Sequence, residues 1–339
     1  MSRYLLVSPC RDEAQHMRRT LDSVAQQTAQ PALWVIVDDG SSDETPAILR
    51  EYAARLPYLR IVRRDNRGAR SVGPGVIDAF YDGLAGINLN DFDYLCKLDL
   101  DLDLPARYFA TLIERMESNP RIGTTSGKPY FVDPRKGKNG TGDAGKGSQP
   151  EALVSELCGD EMSVGMTKFY RVACFQEIGG FVRQVMWDGI DCHRCRMLGW
   201  IAESRDGDDL RFLHLRPMGS SQKSIWAGRV RWGFGQYFMG TAPIYLAASA
   251  VYRMPRHPLL VGGIAMLWGY LKSAATGASR YDDPEFRRFL RTYQTQCLLR
   301  GKAEATRALN AQQATLWQER HGHGHGPSID SAAGNGGGR

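Results

Sequence analysis

The sequence has no apolar run long enough for the ~20 residues of a membrane-spanning helix. Its two longest pieces, Ala242–Val251 and Leu259–Leu271, are broken by Arg253-Met254-Pro255-Arg256-His257-Pro258, and the second holds only 13 uncharged residues. The opening apolar run, Tyr4–Val7, is too short for a secretory leader, so it reads as the first strand of a cytoplasmic protein. The seven cysteines are odd in number and scattered, which argues against a disulfide framework and for a reducing compartment. Cys192-His193-Arg194-Cys195 has no second cysteine or histidine pair at ligand spacing, so it is not read as a zinc site. A large excess of charge of one sign is lacking as well. The net +6 is interspersed, apart from basic clusters near 216–231 and 253–257, which disfavours nucleic acid and leaves local anionic partners. Gly140–Gly147 nearly matches a phosphate-binding P-loop, yet Gly147 stands where Ser or Thr is needed and no strand precedes it.

What is present is a regular alternation. Tyr4–Ser8, Leu33–Val37, Leu59–Val62, Tyr94–Leu98 and Ile122–Ser126 are short apolar runs that predict strands. Glu13–Gln27, Asp43–Arg55, Gly75–Leu84 and Ala106–Ser118 between them predict helices. Leu33-Trp34-Val35-Ile36-Val37 is apolar without alternation, as a strand covered on both faces should be. Repeated strand–helix units predict an α/β fold with a mostly parallel sheet flanked by helices and a helical C-terminal extension. Residues 133–150 are rich in Gly, Lys, Asn and Asp and read as a loop. Residues 236–300 read as a helical extension, either buried or lying on an anionic membrane surface. Residues 301–339 read as a polar, largely disordered tail.

Carboxylates collect at the expected strand ends. In an extended Lys97–Leu104 segment, Asp99, Asp101 and Asp103 fall on one side while Leu98, Leu100 and Leu102 fall on the other. Crowded carboxylates suit a hard divalent ion such as Mg2+ or Mn2+ shared with substrate phosphates. Asp12 and Glu13 follow the first strand and Asp38-Asp39 ends the second, where ligands of open α/β sheets bind. One Asp would suffice to cap the turn, so the pair leaves a carboxylate to accept hydrogen bonds from a nucleobase or ribose.

These segments, in this order, resemble family 2 glycosyltransferases with the GT-A nucleotide-sugar-binding fold. The likeness runs over about residues 3–215, through Pro-Cys-Arg-Asp-Glu-Ala, Val-Asp-Asp-Gly-Ser-Ser-Asp-Glu-Thr, Lys-Leu-Asp-Leu-Asp, Ile178-Gly179-Gly180-Phe181 and Trp187-Asp188-Gly189-Ile190-Asp191. It implies a donor half at 1–126 and an acceptor half at 127–235 of one domain. It further implies a nucleoside-diphosphate sugar held by Asp12, Glu13, Asp38, Asp39, Arg70 and Asp99, a Mg2+ or Mn2+ ion on Asp99 and Asp101, with His214 completing that shell or touching the diphosphate, and Asp103 left as a turn or helix-start residue before Pro105. Counting back from Gly199-Trp200 aligns Asp188 with the family's catalytic base and leaves Asp191 as the alternative, although Trp187 stands where the family carries Glu. The Gly179-Gly180-Phe181 turn corresponds to the acceptor-side loop. The implied activity is inverting, metal-dependent sugar transfer to a saccharide or lipid-linked acceptor for cell-surface polysaccharide or glycolipid synthesis, in the cytoplasm or at the cytoplasmic membrane face. The substitution at Trp187 keeps a non-catalytic nucleotide-sugar-binding protein as the alternative. A nucleotidyltransferase is disfavoured because the acidic Pro9–Glu13 lacks a glycine-rich, basic triphosphate loop.

Overall fold

Strand β1 (Tyr4–Cys10) can run through the middle of the molecule because both of its faces are apolar. Tyr4 and Leu6 join one buried cluster with Trp34, Ile36, Tyr94 and Cys96, while Leu5 and Val7 join another with Val35, Val37 and Leu95. The computed structural model describes residues 2–66, 68, 73–132, 153–156, 158–216, 225–254 and 260–322. After β1 come α1 (Met17–Ala25), β2 (Leu33–Asp38), α2 (Thr45–Ala53), β3 (Leu59–Arg63), α3 (Pro74–Leu84), β4 (Tyr94–Leu98), β5 (Leu102–Asp103), α4 (Tyr108–Ser118), β6 (Ile122–Thr125), β7 (Lys128–Val132), β8 (Leu153–Ser155), β9 (Thr167–Arg171), α5 (Val172–Glu177), α6 (Trp187–Met197), β10 (Ile201–Ala202) and β11 (Arg211–His214). Six helices close the described chain: α7 (Ile225–Met239), α8 (Pro243–Arg253), α9 (Val261–Ala275), α10 (Pro284–Arg300), α11 (Lys302–Gln312) and α12 (Ala314–His321).

Seven strands form the main sheet in the order β10-β6-β9-β4-β1-β2-β3. β1 is parallel to β2 and β4, β2 to β3 and β10 to β6, while β9 runs antiparallel between β4 and β6. The carboxyl ends of β1, β2 and β4 therefore share one edge. A smaller sheet, β5-β11-β7-β8, crosses that edge. Its antiparallel β5–β11 pair sets Leu102 opposite His214.

The five expected strands are present, and the fold is the expected mixed α/β type, with a mostly parallel sheet flanked by helices and a helical C-terminal extension. α1 starts a turn later than the predicted Glu13, because the Asp12 and Glu13 amides are tied to Ser41 Oγ and Thr45 Oγ1, both at 2.9 Å. Asp103 is not a turn residue. It pairs with Leu213 in β5 and bonds Arg19 at 2.7 Å. α7 runs through the boundary expected at 235.

The largest correction concerns residues 302–321, expected as disordered and found as α11 and α12. Long-range contacts order this polar stretch, among them Trp317 edge-on against Trp200 at 5.6 Å, His321 Nε2 to Glu177 at 2.7 Å, and Thr306 Oγ1 at 2.7 Å from the Tyr293 hydroxyl. Residues 323–339, the loop at 133–150 and the P-loop-like stretch lie outside the described residues, as does Arg70.

Candidate functional site

One cavity of about 580 Å³ opens at the carboxyl ends of β1, β2 and β4. On the sheet side it is lined by Arg11, Glu13 and Asp39 from the β1 and β2 loops, and by Lys97, Asp99 and Asp101 from the end of β4. On the far side stand Cys158, Glu161, Gly165, Trp187 and Asp188. His214 and Arg216 close it from the second sheet, and Arg253 and Lys302 reach it from the C-terminal helices.

The β1 and β2 loops divide their carboxylates between construction and the cavity. Asp38 Oδ1 accepts from the Ser41 amide at 2.8 Å, and exposed Asp12 takes the backbone of Ser42 at 2.8 Å, itself in the left-handed region at φ 52°. Neither lines the cavity, which leaves Glu13 and Asp39 on its wall of the four nucleotide contacts expected from these two loops. Asp39 is pinned from both sides: Arg64 bonds its Oδ1 at 2.9 Å and Arg11 bonds its carbonyl at 2.7 Å. Gly40, at φ 74°, makes the turn between them, and a Cβ there would strike the Asn66 backbone.

Asp99 and Asp101 lie beyond the end of β4 and meet different neighbours. Asp99 Oδ1 accepts from Lys97 Nζ, which also donates to the Gly165 carbonyl at 3.0 Å. Burial pushes the Asp99 carboxyl above the usual range despite that ammonium. For Asp101 burial acts in the same direction but is outweighed by His214 and the charges of Arg216 and Lys97, so its carboxyl titrates low. Asp101 Oδ2 receives Arg216 Nε at 3.1 Å and faces His214 Nε2 at 3.6 Å. His214 Nδ1 lies 3.0 Å from Glu156; burial alone would lower the imidazole, but its two carboxylate partners carry it up to about 9.

Asp101 Oδ1 is buried and has no hydrogen-bond partner among the described residues. An orphaned carboxylate oxygen beside a second carboxylate and an imidazole is the donor set a hard divalent cation takes when substrate phosphates complete its shell, so these residues fit Mg2+ or Mn2+. Among the described residues no group of three or more ligands already stands at coordinating distance.

Asp188 and Asp191, three residues apart on α6, have opposite surroundings. Asp191 is buried; both its oxygens bind Lys168 Nζ, at 2.7 and 2.5 Å, and one also receives the Tyr170 hydroxyl. It does not reach the cavity. The Asp188 side chain faces the cavity across Gly165, where a Cβ would come within 3.1 Å of Oδ2. Burial raises its carboxyl above the usual range, against the pull of Lys168. Met186, at φ 68°, sets the turn that aims Trp187 and Asp188 inward, a conformation unusual for a bulky residue.

Lys97 and Lys168 were not singled out from sequence as a pair. They sit directly opposite on β4 and β9, with ammonium groups 5.4 and 5.8 Å from the Trp187 ring. Each is neutralised by its own aspartate, Asp99 or Asp191. Trp187, in the place expected for Glu, is thus a floor for two cations. Arg216 was also missed as a wall residue, since it meets Asp101 only when β11 crosses the sheet edge, whereas Arg11, at the end of β1, is held on the wall by the Asp39 carbonyl and by Asn66, both at 2.7 Å. The Gly179-Gly180-Phe181 turn is absent from the cavity wall; the Tyr81 hydroxyl accepts from the Phe181 amide at 2.7 Å and donates to its carbonyl at 2.9 Å. In the Cys192–Cys195 cluster, both cysteines and His193 are buried, and burial pushes the His193 imidazole far down.

A family model described as "Glycosyl transferase family 2" matches residues 6–179, just over half of the chain. The chain belongs to that family. The matched part of this family 2 member contains the β1, β2 and β4 ends and stops short of Asp188. Poly-beta-1,6-N-acetyl-D-glucosamine synthase of Staphylococcus aureus is 27% identical over 123 residues, 35% of this chain. The match spans only 27% of that relative's length. Among solved structures, GalNAc-T7 with UDP, GalNAc and Mn2+ superposes with a TM-score of 0.52 at 16% identity, covering 87% of this chain and 57% of the other, a likeness of fold. The mannosyltransferase PcManGT of Pyrobaculum calidifontis, with GDP-Man and Mn2+, has a TM-score of 0.48 at 17% identity over 94% of this chain and 88% of its own.

Proposed function

We propose that the protein moves a sugar from a nucleoside-diphosphate sugar to a hydroxyl of a saccharide or lipid-linked acceptor, with inversion, in the synthesis of a cell-surface polysaccharide or glycolipid. The observation that carries this reading is one cavity with Asp99 and Asp101 on one wall and Asp188 on the other. Glu13 and Asp39 are positioned to accept hydrogen bonds from the nucleoside, and Arg11, Lys97 and Arg216 supply positive charge along the diphosphate. Asp99, Asp101 and His214 would hold Mg2+ or Mn2+, which supplies charge that favours departure of the diphosphate. His214, protonated at neutral pH beside Asp101, must yield its proton to act as a ligand.

Asp188 takes the proton of the acceptor hydroxyl while the hydroxyl oxygen bonds to the anomeric carbon. The bond from that carbon to the diphosphate breaks on the opposite side. A raised carboxyl pKa makes Asp188 a stronger base than an ordinary aspartate. A single displacement with one base inverts the anomeric centre. Asp191, locked by Lys168 and Tyr170, is a positioning residue for α6. The test is turnover of a panel of nucleotide sugars with Mg2+ or Mn2+ and a lipid-linked acceptor pool. Release of nucleoside diphosphate that disappears in Asp188→Asn supports the reading, and nucleotide-sugar binding without any turnover would reduce the protein to a binder.

A further inference from the structure

Between Leu210 and Tyr281 the sequence carries no Asp or Glu and nine Lys or Arg. The structure folds much of this acid-free stretch into α7, α8 and α9. α9 carries no charge before Lys272 in its last turn, and α7 seals only one side of it. Gly233 lies against the Met266 carbonyl and Gly269 against that of Val230, so two backbones meet where any Cβ would clash. The α8 side is covered through Gly263, where a Cβ would fall 2.8 Å from the Ala250 carbonyl. The remaining stripe of α9, Val261, Ile264, Trp268 and Leu271, recurs at three- and four-residue spacing and is 42 to 60% exposed.

On α8, Ile244, Val251 and Tyr252 are 63 to 70% exposed. Nine of the twelve large apolar side chains most exposed among the described residues fall between Trp226 and Leu271. Scattered apolar residues need no explanation, but a patch confined to one helical unit does. The charged side chains that this stretch itself places around the patch are cations: Lys272 follows Leu271 and lies four residues on from Trp268, Arg229 Nε would lie 3.7 Å from a Cβ at Gly262, and exposed Arg280 is near the end of α9. Among the described residues no helix is long and apolar enough to cross a membrane.

We infer that the exposed face of α8 and α9 docks on an anionic lipid bilayer, lying in the headgroup layer with Trp268 and Tyr252 at the boundary and the cations on lipid phosphates. Aromatic and aliphatic side chains in a field of one sign are what such a surface recognises. A protein partner of this face would have to be acidic as well as apolar; a bilayer containing anionic lipid is both. Docking brings the cavity close to the membrane, since Arg253 ends α8 and lines the cavity wall. The consequence, an acceptor carried by a lipid, rests on the transferase reading; the docking does not.

The test is flotation of the full chain with phosphatidylcholine vesicles with and without phosphatidylglycerol, read without nucleotide sugar. The expected result is flotation with anionic vesicles only, weakened by salt as charge contacts are screened. The double variant Ile264→Glu, Trp268→Glu should bind at least about tenfold more weakly with an unchanged unfolding temperature, because both side chains are exposed. No flotation at low salt, or equal flotation of the variant, overturns the proposal. So does a lipid-free oligomer that the double variant turns into monomers, which would assign this face to a second copy.

Discussion

The two walls of the cavity are built in opposite ways. On the sheet wall, Glu13, Asp39, Asp99 and Asp101 each sit just past a strand end, and parallel strands bring those ends to one edge whatever the intervening helices contain. On the helical wall, Asp188, Arg253 and Lys302 come from three elements whose placement depends on packing between helices. A site laid along a sheet edge keeps its residues in place through backbone pairing, whereas one assembled from helices depends on buried ion pairs such as Lys168–Asp191.

The sharpest way to break this comparison is to exchange the roles of the two α6 aspartates. Asp188→Asn should lower kcat by about 10² to 10⁴ while leaving nucleotide affinity and unfolding temperature nearly unchanged. Asp191→Asn leaves Lys168 buried beside a neutral group and should cost about 3 to 5 kcal/mol of stability by denaturant unfolding. If Asp191→Asn spared stability and abolished turnover, the base would move one turn along the helix.

On the sheet wall the expected effect is smaller and lies in binding. Asp101→Asn should weaken metal-dependent nucleotide binding by about tenfold or more in calorimetric titration, while binding in chelator changes little. Equal losses with and without metal would assign Asp101 to the nucleotide instead of the cation.

The pH dependence separates the walls further. His214 gains its proton's partners on folding, so its contribution to stability of the metal-free protein is complete below about pH 6.5. It is lost as pH rises through about 9. Melting temperatures of His214→Asn should lack this alkaline decline. Asp188 must be ionised to act, so turnover should rise with pH through a limb above the ordinary aspartate value of ~3.9.

The smallest effect is expected at the joint between the helical wall and its extension. Lys302 pairs with Glu161 but is half exposed, so Lys302→Ala should change stability by less than about 1 kcal/mol. A larger loss in unfolding measurements would mean that α11 holds the cavity together.

Much of the sheet wall was legible because strand patterns and strand-end carboxylates are local features. Asp12 and Asp38 show the limit: in sequence they are equal to Glu13 and Asp39, and only the Ser41 and Ser42 amides turn them from the cavity. Asp188 and Asp191 were both open on spacing alone, and the strand register that puts Lys168 beside one of them distinguishes their surroundings. The order of residues 302–321 was illegible because it rests on long-range contacts, among them Trp317 on Trp200, Arg121 with the Asn310 carbonyl and Lys302 with Glu161.

By itself the sequence determined the alternation of strands and helices, the sheet edge where carboxylates gather and the acid-free stretch from Leu210 to Tyr281, all of which follow from side-chain order along the chain. Only the tertiary structure decided which carboxylates face the cavity, that β5 and β11 bring Asp101 to His214, and which stripe of α9 remains exposed. Those outcomes depend on contacts between residues as far as about a hundred positions apart, and local periodicity carries no record of them.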